Sequence, residues 1–174
     1  MLTNIIGLRS IGAIAALGFL IVASTQTAYG QVSASANATA FIASPITITK
    51  VTDLQFGGFV SGIGGTVTIS TTGARTPVGP VPLNNVTYPI GAASFSLTGA
   101  PNFVFTITLP TTIAITGTGG STMNVTTIVS NPSGTGTLSA GGTSTLIVGG
   151  TLTLSGNQAP GAYSGTFSVT VNYQ

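Results

Sequence analysis

From Phe167 to Tyr173 the chain alternates without a break. Phe167, Val169, Val171 and Tyr173 fall on one side, and Thr166, Ser168, Thr170 and Asn172 on the other. A period of two is that of a strand with one buried face. The β-branched and aromatic residues suit that conformation. Gly161 and Gly165 mark a turn or bulge leading into it. Chain ends fray unless something holds them, so this strand must pair, within its own sheet or with another chain.

A second alternating stretch runs from Gln31 to Ile42. Val32, Ala34, Ala36, Ala38, Ala40 and Ile42 share one face, and Ser33, Ser35, Asn37 and Thr39 the other. Its apolar face is mostly alanine, so each residue gains little from burial, at about 25 cal/mol per Å² of apolar surface. It reads either as a first strand or loose tail of a self-contained domain, or as a strand offered to a neighbour's open sheet edge.

Between these stretches lie short apolar runs cut by glycine and proline. Ile46 and Ile48 are expected to be buried, with Pro45 at the strand start. Lys50 and Asp53 should form an exposed pair at a turn, and Leu54 and Phe56 alternate into Gly57-Gly58. The glycines from Gly57 to Gly65 lack the Gly-Lys-Ser/Thr ending of a phosphate loop, so they read as a connection. Thr66–Ser70 is a short strand, and the turn around Gly73 presents an exposed Arg75. Pro80 and Pro82 confine their segment to an edge or a loop. Ala92–Leu97 and Phe103–Leu109 read as a hairpin, and the large side chains Phe95, Leu97, Phe103, Phe105, Ile107 and Leu109 as core. The same aromatics would also suit a ligand groove. Thr111–Ile115 is a further strand, and Met123–Val129 another, broken in phase as by a bulge. Leu146–Leu154 is interrupted by Gly149-Gly150, either a hairpin turn or a bulge.

The composition removes most chemistry. The 174 residues include no His, no Cys and no Glu, and the only Asp is Asp53. Acid–base catalysis and metal binding need side chains this inventory lacks, and no motif surrounds Lys50, the one lysine that could activate a serine. No catalytic residue, cofactor site or metal site is assigned, and the expectation is a protein that is not an enzyme. The formal net charge of +2 comes from three cations against one anion. Two cations outside the leader make no phosphate-binding patch, so neither a nucleic acid nor a small-molecule substrate is expected. Weak charge also leaves sheet edges without their usual protection.

Residues 1–30 read as a secretory signal peptide. Arg9 gives the positive start, Ile11–Ala23 the apolar centre, and Ala28 and Gly30 the small residues before cleavage. The protein is therefore expected to be exported, through the periplasm to the cell surface or beyond. Residues 31–43 then form an N-terminal extension and 44–174 one β-domain.

The expected fold is all-β, an immunoglobulin-like antiparallel β-sandwich of pilin-like Greek-key form. Gly161, the alternating Phe167, Val169 and Val171, and the penultimate Tyr173 resemble the C-terminal strand of pilus subunits built by the chaperone–usher route. That resemblance implies a strand gripped by a periplasmic chaperone and later bordering a groove filled by the next subunit. The elements Leu54-Gln55-Phe56-Gly57, Gly65-Thr66-Val67-Thr68, Val148-Gly149-Gly150-Thr151-Leu152 and Gly161-Ala162-Tyr163-Ser164-Gly165 resemble a cysteine-free family of secreted bacterial domains, the DUF4402 type. Together these point to a structural subunit of a fimbria-like fibre assembled by strand exchange. Its implied partners are copies of itself or related subunits, with a periplasmic chaperone and an outer-membrane usher. The alternative is a monomeric secreted adhesion or binding module. A membrane barrel fits poorly, because its strands need about 9–11 residues and aromatic girdles.

Overall fold

The computed structural model describes residues 30–60, 62–84 and 88–174. The leader expected over residues 1–30 lies outside them, apart from Gly30. Two units divide the chain, Met1–Thr39 and Ala40–Gln174. In the first, the described residues 30–39 have no regular secondary structure and exposed side chains.

The second unit is all β. Its strands are β1 (Thr47–Thr52), β2 (Gln55–Phe56), β3 (Gly58–Phe59), β4 (Gly65–Ile69), β5 (Arg75–Val78), β6 (Leu83–Asn84), β7 (Ile90–Gly91) and β8 (Ala93–Thr98). They continue as β9 (Val104–Thr108), β10 (Ile113–Gly117), β11 (Thr122–Asn131), β12 (Thr135–Thr137), β13 (Thr143–Leu154), β14 (Tyr163–Ser164) and β15 (Thr170–Tyr173). The large sheet runs β1-β8-β13-β11-β10-β14, with β4 paired along the second half of β13 and β5 paired to β4. A second sheet has three strands, β12-β9-β15, and two small ribbons join β2 to β7 and β3 to β6. Every pairing is antiparallel.

Side-chain alternation decides what the sheets bury. Leu97, Leu146 and Val148 of the large sheet pack with Phe105 and Val171 of the small one and with Leu138. This is the face-to-face arrangement of a sandwich. The opposite face of the large sheet is rich in threonine and serine. Thr47 with Thr98, Thr52 with Ser94, and Thr68 with Thr151 share hydrogen bonds of 2.6, 2.7 and 2.9 Å across neighbouring strands. Threonine suits such a face because its branched Cβ favours strands and its hydroxyl reaches the next one.

Three expectations need correction. β8 and β9 do not form a hairpin: β8 pairs with β1 and β13, and β9 with β12 and β15. Both strands carry large apolar side chains, and Leu97 and Phe105 are fully buried. Lying in opposite sheets lets those side chains meet, where a hairpin would set them side by side. The link turns at Asn102, whose φ is 62°.

Gly149-Gly150 is neither a hairpin turn nor a bulge, because β13 runs straight through it for 12 residues. Here one edge of β13 passes from β8, paired up to Val148, to β4, paired from Gly150. A Cβ on Gly149 would collide with the Ile69 carbonyl, so the glycine allows the two partners to meet end to end. Arg75 is not freely exposed. Its guanidinium donates to the Phe56 carbonyl at 3.0 Å and lies 6.0 Å from the centre of the Phe59 ring. The broken phase of Met123–Val129 is a bulge as expected: the register of β11 against β13 shifts between Thr126 and Val129, and Thr127 has a φ of 48°.

Candidate assembly groove

The terminal alternation is present, but its pairing is not what a simple closing strand requires. Phe167, Val169, Val171 and Tyr173 are buried or half-buried, and Thr166, Ser168, Thr170 and Asn172 are exposed. Only Thr170–Tyr173 forms a ladder, with Thr170 opposite Thr108 and Tyr173 opposite Phe105. Six residues earlier, Tyr163 and Ser164 pair with Gly117 and Thr116 of β10. Gly165–Val169 joins these two pairings and belongs to no strand. The end of the chain therefore starts on the large sheet and finishes on the small one, with five residues between.

Glycines make this crossing possible. Gly161 has a φ of 145°, a conformation L side chains rarely adopt, and it turns the chain into β14. Gly165 lies against β10, where a Cβ would collide with the Ala114 carbonyl. Tyr163 is fixed before it: its hydroxyl donates to the Ala159 carbonyl at 2.7 Å and accepts from Gln158 Nε2 at 2.9 Å.

Beside this crossing lies a cavity of about 1090 Å³. Gln158–Phe167 line it, as do Leu54–Val60 with Lys50, Thr52 and Asp53. Ile113, Met123, Val125 and Leu152 of the large sheet line it, together with Phe56 and Val81. All six belong to one buried core cluster. The Gly165–Phe167 part of this lining has main-chain groups that belong to no ladder and shares the cavity with apolar side chains of the large sheet.

The edges differ in how they are defended. β1 borders the large sheet and pairs with β8 alone. It carries Lys50, ion-paired to Asp53 at 2.7 Å, and its register shifts between Lys50 and Thr52. A charge and a bulge are two usual ways to discourage edge pairing. β15 borders the small sheet. No residue from Gly161 to Gln174 is charged.

The candidate donor residues Val32, Ala34, Ala36, Ala38, Ala40 and Ile42 are all exposed, Val32 to 96% and Ile42 to 92%. Phe41 is 75% exposed. Among the described residues, none from 31 to 42 lies in a strand. The residues around the cavity come from widely separated stretches, and no local pattern marked them. Gly165 had a detectable signal, a glycine interrupting an otherwise strand-like run, but that signal did not identify Ala114 as its neighbour.

The fold and groove define a class: an all-β sandwich domain with a cavity beside the segment that leads into its last strand. Residues 46–173 match the model of a family described as Domain of unknown function (DUF4402), and the chain belongs to that family. No curated protein and no solved structure matches it.

Proposed function

We propose that the protein is a structural subunit of a cell-surface, fimbria-like fibre, polymerised by β-strand exchange. The observation that supports this best is Gly165–Val169, a stretch of alternating residues outside any strand, whose first three residues line the cavity. The second support is the exposed alternating stretch Val32–Ile42, which has the chemistry such a groove accepts. A strand added there gains affinity from main-chain hydrogen bonds and specificity from alternate side chains. The small alanines of the extension let its backbone lie close to the groove floor. Export through the periplasm follows from the leader-like residues 1–30. The partners are then copies of this chain or related subunits, with a periplasmic chaperone and an outer-membrane usher handling the open groove before assembly. The protein does this work without catalysis.

The test uses the mature chain with and without residues 32–42. Size-exclusion chromatography and electron microscopy should show fibres from the first and monomers from the second. A synthetic peptide of residues 31–43 should bind the shortened chain one to one. Fibre growth unaffected by the deletion would contradict the proposal.

The cavity volume favours a second reading, a monomeric secreted adhesion or binding module. Small-molecule pockets span about 300–1000 Å³, and this cavity of about 1090 Å³ is slightly larger than that range. Against it, the charged groups that line the cavity, Lys50 and Asp53, are paired with each other, and Gln158 and Tyr163 hydrogen-bond to one another. A mature chain that stays monomeric at high concentration would favour this reading over the first.

A further inference from the structure

Tyr173 ties three separate parts of the chain together. Its hydroxyl accepts a hydrogen bond from the Ala100 N–H at 2.6 Å and donates one to the Ser44 carbonyl at 2.9 Å. Its ring meets Phe103 edge-on, with centroids 5.3 Å apart. Phe103 in turn contacts Phe41, 6.1 Å between centroids. Gly99 makes room for the phenol, since a Cβ there would collide with the Tyr173 oxygen and come within 3.0 Å of Leu138. The root of the N-terminal extension, Phe41 to Ser44, is thereby fastened to the last residues of β15.

The same run of chain carries the groove wall at its other end. From Gly165 to Tyr173 is about 26 Å at roughly 3.3 Å per residue. One end of this run offers an edge to an incoming strand, and the other holds the root of the strand this subunit would donate. Beyond Ser44 the chain enters β1, an edge strand paired with β8 alone. Without the fastening, tension on the extension would fall first on β1 and peel it from the sheet.

We propose that Tyr173 is a positioning residue that routes tension through the terminal strand. This rests on the strand-exchange reading above. Force on the extension passes through the Tyr173 hydroxyl and the Phe41–Phe103–Tyr173 stack into β15. It leaves through Gly165–Val169 into the strand received from the neighbouring copy. β1 and the large sheet are spared.

The experiment compares the mature chain with Tyr173→Phe, which removes only the hydroxyl, and Gly99→Ala, which displaces the phenol. In the soluble subunit, hydrogen exchange at the Ala100 amide should speed up about tenfold in both variants. Unchanged exchange would overturn the proposal without any need for fibres. In stretched single fibres, both variants should lengthen at lower force than the parent, by release of β1 before rupture. Equal force and no early lengthening would overturn the proposal and leave strand exchange standing. Failure of the parent chain to form fibres would overturn strand exchange, and this inference with it.

Discussion

Leu146 and Leu152 lie on one face of β13, six residues apart, and both are buried. Their surroundings differ. Leu146 faces Phe105, Leu138 and Val171, so the small sheet and its loops close over it. Leu152 belongs to the other cluster, with Ile113, Met123 and Val125, and lines the cavity. The small sheet has only three strands and does not extend over this second half. The short ribbons around Phe56 and Phe59 and the segment Gln158–Phe167 border it instead. One long strand therefore supports a closed core and an open one. A sandwich need not be finished over its whole length to be stable, provided one half is packed well enough to hold the other.

The largest expected effect comes from emptying the closed half. Phe105→Ala should cost about 3–5 kcal/mol, because a fully buried ring is lost where no strand can move in. Met123→Ala, beside the groove, should cost nearer ~2 kcal/mol, since one side of that residue already faces the cavity. Chemical denaturation of both variants measures the difference. Equal costs would mean that the two halves are packed alike and that the comparison fails.

A smaller effect concerns pH. Neither half contains a His, Glu or Cys, the side chains that most often change charge near neutrality. Stability, and any strand binding in the groove, should be nearly constant between about pH 5 and pH 8. A steep change in unfolding midpoint in that window would point to a titrating group in one of the halves.

Much of the closed half was legible in the sequence. Alternation placed Leu97, Phe105 and Val171 inward, and each is buried. The out-of-phase apolar residues after Met123 gave the bulge in β11. Pairing was less legible, because alternation reports which face a residue takes and not which strand lies beside it. That is why β8 and β9 looked like a hairpin and Gly149-Gly150 like a break. The open half shows the same limit in a more useful form. The pattern from Phe167 to Tyr173 was correct for burial, yet pairing begins only at Thr170. A strand-like sequence without a strand partner left no trace that sequence reading could separate from an ordinary closing strand. The extension showed its alternation but not its exposure, since alanines fit a packed strand and a solvated one equally well.

The most direct measurement is hydrogen exchange across residues 165–174 of the chain lacking residues 32–42, with and without the peptide of residues 31–43. The account predicts that Gly165–Val169 exchanges quickly alone while Asn172 and Gln174, whose amides face β9, are protected, and that the peptide slows the first group to match the second. Protection of Gly165–Val169 in the absence of any added strand, or no change when the peptide is present, would contradict it.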